Sequence, residues 1–499
     1  MPAFPLIGSS RHIAPAMVVV LAAAFLFIDP TTMPIRLWDE SRNIVNALEM
    51  NLRGFGIVTT YGGVSDLWNS KPPLLIWLMT ASVRVFGPWE WALRLPSMIA
   101  ALGTVLLVFR FVRGVSGRPS TAWLSAFLLV ASPAMFGEHS ARTADYDALL
   151  LFFVTAYCCL LFLALHRPAA HRLLALAGVA IGCAFLTKSV AAFVPGLGVA
   201  IHAIATGRWR RVVRTPAYPI LGVAVAASVV GFLALREQSA PGYLAAAWAN
   251  DMGGRFATSL VRSKARSYYV DLLAAGYFAA TPLLVLGPVA FVLARGRERL
   301  LLSFSLSVVA ATLVAFSCAA SKLDHYILTA IPFMAIAAAI TAQVLLGKAR
   351  AVLAGDKPYA RVAATVLALI ATVPILTGAA GAIMRRYYVV SPGEGAAAGR
   401  YGALLERIVP ASDSPVVVVD PGFVLDRDPH YAPTLLAYRE LWRARGVTIA
   451  HRHDLDRRPI ASPVLLASCA PRIVAALRAI GPDEAGVARC AALHYRVRA

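Results

Sequence analysis

Apolar runs long enough to cross a bilayer recur along this chain, and arginine bounds most of them. Leu301 to Ala320 and Val362 to Met384 are examples. About 20 such residues in lipid must satisfy their own backbone, because no water is there to do it, and a helix does so within one segment. A chain made of such runs is confined to a polytopic α-helical membrane protein. Its charge agrees: only 15% of the residues are charged, against about 25% in a soluble domain. The net charge of +21 would suggest a nucleic-acid partner in a soluble protein. Here the arginines fall largely in short loops, Arg208 to Arg214 and Arg295 to Arg299. Positive-inside topology accounts for them, and no nucleic acid is expected.

Run lengths and arginine loops together predict about eleven spans, with the N-terminus inside and the C-terminus outside. The first, from about Ile13 to Ile28, is read as uncleaved, since no small-residue cleavage site clearly follows it. The next six run from about Trp89 to Val112, Ala122 to Phe136, Ala148 to Leu165, Leu173 to Leu186, Val190 to Ala205 and Ile220 to Leu235. An eighth ends at Ala294, a ninth covers Leu301 to Ala320, a tenth ends at Leu346 and the last covers Val362 to Met384. Pro72 to Phe86 is short and carries Arg84, so it is expected to be interfacial or re-entrant.

Past Arg385 the pattern changes to alternating strands and helices. SPVVVVD, GVTIA and PVLLASC are strand-like, and YAPTLLAYRELWRAR and PRIVAALRAIG are helix-like. This predicts a small α/β domain, residues 385–499, outside the membrane, after a transmembrane domain of residues 1–384. Cys158, Cys159, Cys183 and Cys318 lie in apolar segments and are read as small hydrophobes. Cys469 and Cys490 are the tail's cysteines. One ends a strand and the other opens the last, a spacing that adjacent strands can bridge in an oxidising compartment.

The long first outer loop, residues 30–88, carries Asp39, Glu40, Arg42, Glu49, Arg53, Asp66 and Lys71. In its first half Leu37, Ile44, Val45, Leu48 and Leu52 share one helical face, while Asp39, Arg42, Asn46, Glu49 and Arg53 share the other. Gly54 stands where a helix cap belongs. The expectation is an amphipathic helix lying on the membrane surface. The other charges outside the topogenic loops also fall on the outer face, at Arg142, Asp145, Asp147, Lys188, Arg255 to Arg266, Lys322, Asp324 and His325. Basic groups there run against the positive-inside bias, and an anionic lipid phosphate would account for them. A carboxylate among them suits deprotonation of a hydroxyl. Each residue also has a plainer reading. Asp39 could cap its helix, Lys71 could snorkel, and Asp147 could form a structural ion pair with Arg142. Asp324 and His325 are read as loop residues, and Trp38, Trp68, Trp77, Trp89 and Trp91 as an aromatic belt.

The runs WDE, SKPPLLIWLM and FGPWEWALRLPS, followed by ARTADYDALLLFF, GCAFLTKSVAAFVPG and SKLDHYILTAIP, resemble the polytopic C-class (GT-C) membrane glycosyltransferases. Within them the likeness is to the aminoarabinose lipid A transferases and the protein O-mannosyltransferase-like enzymes. It extends from about residue 35 to residue 335. The resemblance implies transfer of a sugar from a polyprenyl-phosphate carrier to a lipid A, glycan or protein acceptor, with inversion, on the outer face of a bacterial inner membrane. It makes Asp39 and Asp147 the catalytic carboxylates and gives the donor phosphate to Lys71, Arg142 and Arg255. Glu40, Asp145, Lys188 and Lys322 stand as additional candidates, and Asp145 competes with Asp147 for the second acidic position. Asn69 and Ser70 replace the acidic or histidine residue that often precedes the lysine, which speaks against a metal there. No CxxC or histidine-rich metal spacing appears, and the sequence names no cofactor. The rival function is a secondary transporter of an anionic solute or lipid, which internal repeats and midplane charges would support. No clear repeat is visible.

Overall fold

The computed structural model describes residues 39–353 and 395–495, with 138, 168–169, 259–263, 422–432 and 456–462 excepted, and scattered residues of 20–35 and 362–377. Most of the eleventh predicted span and most of the first lie outside the described residues. Among the described residues, ten helices of 12 residues or more lie in the membrane part and its first loop: α1 (Asp39–Arg53), α2 (Leu74–Phe86), α3 (Glu90–Ser116), α4 (Pro119–Val130), α5 (Tyr146–His166), α6 (His171–Lys188), α7 (Val194–Ala205), α8 (Ala217–Ser239), α9 (Gly296–Cys318) and α10 (Ile331–Leu353). Several shorter helical turns connect them. Among the described residues six helical stretches are long and apolar enough to cross a membrane, α6 and α7 counting as one stretch. This is a multi-pass membrane protein.

Side-chain contacts fix how the helices run. Lys188, at the end of α6, meets Asp147 at the start of α5. His202, near the end of α7, meets His166 at the end of α5. So α6 and α7 run up and down beside α5, turning at Ser189–Phe193. The arginine loops gather at the end of the molecule away from Asp147: Arg118 pairs with Glu298 across two of them, and Arg211 reaches the carbonyl of Leu165. Helix α8 is apolar all round, and no part of its apolar stretch is buried in the protein, as suits a helix facing lipid.

The eighth predicted span is not one helix. It is divided into Tyr268–Ala274, Thr281–Val285 and Gly287–Leu293. Gly276 takes a left-handed conformation, φ +89°, which ends the first piece. Pro282 and Pro288 lack the N–H that would join the later pieces to what precedes them, and both sit in first helical turns.

The tail holds a mixed four-stranded sheet of β3 (Val416–Val419), β4 (Ile449–Arg452), β5 (Val464–Ser468) and β6 (Ala491–Tyr495), in the order β4-β3-β5-β6. The strands β1 (Thr60–Tyr61) and β2 (Val64–Ser65) form a separate hairpin in the first loop. In the tail, β3 is parallel to both neighbours and β6 antiparallel to β5. Helices α11 (Gly395–Ile408), α12 (Pro433–Ala444) and α13 (Pro471–Ile480) pack with it. Cys469 and Cys490 are disulfide-bonded, their α-carbons 4.0 Å apart.

Helix α1 does not lie on a surface. From Glu40 to Met50 every residue is buried. Its apolar side, Ile44, Val45 and Leu48, shares one core with Leu75 and Ile76 of α2 and with Leu436, Tyr438 and Leu441 of α12. The first loop and the tail are therefore packed as one body above the membrane helices. The polar side is enclosed as well. It can be, because the loop segments 59–70 and 143–147 supply hydrogen bonds in place of water.

Candidate active site

The site is assembled on the first turn of α1. Acidic groups are favoured there by the unpaired N–H groups and the helix dipole, and Asp39 and Glu40 occupy it. Glu40 is fully buried and accepts from Arg94 of α3 at 2.7 Å and from the backbone N–H of Ala144 at 3.0 Å. It thereby ties α1 to the loop before α5. Asp39 faces the other way. Its side chain is 36% exposed, 3.8 Å from Lys71 Nζ and 3.8 Å from His139 Nδ1.

A buried amide network holds Lys71 in place. Asn43 donates to the Ala144 carbonyl at 3.0 Å and to Asp145 at 3.3 Å. The Asn69 amide is ringed by Asn43 at 3.1 Å, Asn46 at 2.9 Å and the Tyr146 hydroxyl at 2.9 Å. Asp66 receives Arg42 through two bonds, 2.8 and 2.6 Å, and accepts the Asn69 backbone N–H at 3.0 Å. Burial alone would raise the Asp66 carboxyl, but Arg42 holds it below the usual carboxylate range. Lys71 ends this segment, its ammonium 5.4 Å from the centre of the Tyr146 ring. Ser70 beside it bonds to Asp251.

The second carboxylate position is split between two residues. Asp147 accepts Lys188 through both oxygens at 2.7 Å, so its partner is Lys188 and not Arg142. Asp145 lies 3.5 Å from His139. His139 adopts a left-handed backbone, φ +56°, unusual for a residue with a side chain. Its ring stacks on His325 with centroids 4.3 Å apart. Burial opposes charge on His139, but Asp145, with Asp39 and Asp147 behind it, outweighs that and raises its pKa to about 9. Asp147 and Lys188 also line an open cleft, with Asp251, Phe256, Phe316 and Tyr326 on its other walls. Two sets of side chains here could hold a cation, His139 with Asp147 and His325, and Asp39 with His139 and Asp145. In each the ligand atoms lie within 4.8 Å of one another. An ion would take the His139 lone pair and release its proton.

Of the residues singled out from sequence, Asp39, Lys71, Asp145, Asp147 and Lys188 share this end of the molecule. Glu40 is a buried anchor behind them. Arg142 is buried and reaches the Ile28 carbonyl at 3.3 Å, toward the first apolar run. Lys322 donates to the Ala319 carbonyl at 2.6 Å on the cleft's far side. Arg255 falls in the short helix Gly254–Ala257. Sequence reasoning missed Asn43, Asn46, Asn69, Tyr146 and Asp251 as site residues, and set His325 aside. The i, i+3 spacing of Asn43 and Asn46 on the polar face of α1 was the available signal.

Residues 70–234 match the sequence family described as dolichyl-phosphate-mannose-protein mannosyltransferase. The undecaprenyl phosphate-alpha-4-amino-4-deoxy-L-arabinose arabinosyl transferase of Yersinia enterocolitica is 28% identical over 323 residues, 63% of this chain and 56% of that protein. The chain spans 24% to 59% of the length of the curated relatives it matches. Among solved structures, ArnT from Cupriavidus metallidurans bound to undecaprenyl phosphate superposes with a TM-score of 0.63 at 18% identity, over 96% of this chain and 97% of that one. This chain has the GT-C fold. The oligosaccharyltransferase of Archaeoglobus fulgidus is similar over 88% of this chain and 63% of that one, with a TM-score of 0.52 at 12% identity. These GT-C relatives differ most in what their names say they act on, so the fold leaves the chemistry to the site.

Proposed function

We propose that this protein transfers a sugar from a polyprenyl-phosphate-linked donor to an acceptor hydroxyl on the outer face of the inner membrane. The observation that carries the reading is the pair Asp39 and Lys71, 3.8 Å apart, at the rim of an otherwise enclosed polar network. The acceptor oxygen attacks the anomeric carbon as the bond to the phosphate oxygen breaks, and the configuration inverts. The acceptor's proton passes to Asp39, which is exposed enough to meet it. The polyprenyl phosphate departs as a stable anion and needs no proton. Lys71 supplies positive charge where negative charge develops on the leaving phosphate. Arg142 and Arg255 complete the phosphate contacts in this reading, while Lys188 pairs with Asp147 beside the cleft.

His139, held beside Asp145, places positive charge next to Asp39. The acceptor is a lipid, glycan or protein hydroxyl, reaching the cleft from the side of the tail, which lies outside the membrane as residues 385–499. The full span count of about eleven requires that the first and last apolar runs, the short α4 and the divided segment Tyr268–Leu293 also cross, with α6 and α7 crossing separately. The transporter reading loses its main support, because the ionisable groups gather at one end of the helices and not at mid-depth. Purified protein in detergent, given a polyprenyl-phosphate sugar and lipid A or a glycan acceptor, is expected to release polyprenyl phosphate and a glycosylated product. Uptake of solute by vesicles, with no transfer, would sink the assignment.

A further inference from the structure

Helix α8 has one buried residue, Arg236 in its last turn, and that residue is 1% exposed. Everything else on the helix faces outward or partly outward. Among the described residues no hydrogen bond reaches Nε, Nη1 or Nη2 of Arg236. The adjacent carboxylate does not answer it: Glu237 accepts the backbone N–H groups of Gly242 and Leu244 at 2.8 and 2.7 Å. The Arg236 guanidinium instead lies over the ring of Tyr243, 4.9 Å from its centre. The Tyr243 hydroxyl donates to the Ser70 carbonyl at 2.9 Å, so one fully buried tyrosine joins Arg236 to the residue before Lys71.

A buried guanidinium with no hydrogen-bonded anion among the described residues is costly, and in membrane proteins such groups mark ligand paths. Its planar fork matches two oxygens of a phosphate. The lipid-facing position of α8 selects the source, since a carrier arriving sideways from the bilayer passes this helix. We propose that Arg236 is a further cationic ligand of the lipid carrier's phosphate, beyond Lys71, Arg142 and Arg255, and approached from the α8 side. This rests on the donor reading above.

The test is direct binding to the full-length protein in detergent or nanodiscs, read as the ligand-induced shift in melting temperature. Undecaprenyl phosphate is the probe, with undecaprenol and inorganic phosphate as controls. Arg236→Gln is expected to weaken undecaprenyl phosphate binding about tenfold or more and to leave undecaprenol binding unchanged. Arg236→Lys, which keeps the charge and loses the fork, should lie between. Wild-type affinity for undecaprenyl phosphate in Arg236→Gln, or in Arg236→Lys should only that variant fold, overturns the proposal. So does an equal drop in melting temperature with and without lipid, which marks a purely structural arginine. Loss of inorganic phosphate binding alone would make this a free-phosphate site and overturn it too. If Lys71→Ala loses the lipid while Arg236→Gln keeps it, Arg236's role falls and the donor reading stands. If the wild type does not bind undecaprenyl phosphate at all, the donor reading falls with it.

Discussion

At the scale of single residues, the site is built from charges that hold each other in register. Glu40 and Arg94 have fully buried side chains, and removing Glu40 leaves the desolvated Arg94 without its short ion pair, Glu90 lying 3.8 Å away. Glu40→Gln is therefore expected to lower stability by about 3 kcal/mol or more, read as a large fall in melting temperature of the detergent-purified protein. Full stability in that variant would contradict the pairing. His139 gives a pH signature. Its pKa is raised to about 9 from an ordinary 6.5, so the fold favours the imidazolium. That stabilisation is complete below pH 6.5 and is lost as pH rises through about 9. The wild type should lose melting temperature over that interval, and His139→Gln should lose the slope. An unchanged slope in the variant would mean another group titrates. Asp39 and Lys71 were singled out in the sequence because they stand in the WDE and KPP runs that carry the family resemblance, and the structure brings them within 3.8 Å of each other. Asn43, Asn46 and Asn69 were not. An uncharged amide becomes informative only when the fold buries it against other amides, and their sequence separation of 23 to 26 residues conceals that.

At the scale of elements, apolar runs and arginine clusters marked most helices correctly, because length and charge are local properties. Two elements escaped, one because a distant neighbour overrode its local pattern and the other because apolar length hid its local breaks. The amphipathic face of α1 reads as a surface helix until α12, nearly 400 residues later, is laid over it. The broken segment between Tyr268 and Leu293 is apolar enough to read as one span, but Gly276 and two prolines divide it. The tail's sheet was visible in its strand-like runs, and the bridge closing β5 to β6 encloses a sequence separation of 21. Replacing Cys469 and Cys490 with alanine should destabilise the tail by roughly 3 kcal/mol. Limited proteolysis with mass spectrometry would detect it as faster cleavage between residues 395 and 495. Because α1 shares the tail's core, transfer activity should fall in step with that cleavage, and an unaffected rate would separate the tail from the site.

At the scale of the whole molecule, polar chemistry and arginine loops occupy opposite ends of the helices. The first loop and the tail close over the polar end, leaving Asp39 at a rim beside Lys71 and a cleft walled by Asp147 and Lys188. That arrangement suits a lipid-borne donor entering from the side and an acceptor from above. The division of labour predicts distinct kinetic failures: a proton acceptor acts mainly in the transition state, while a phosphate ligand also acts in the bound donor. The most direct measurement is single-turnover transfer from a polyprenyl-phosphate sugar, with donor affinity measured in parallel on Asp39→Asn and Lys71→Ala. Asp39→Asn is expected to bind donor normally and lose roughly 100-fold or more in rate, while Lys71→Ala loses donor affinity as well. Near-normal transfer by Asp39→Asn would contradict the account.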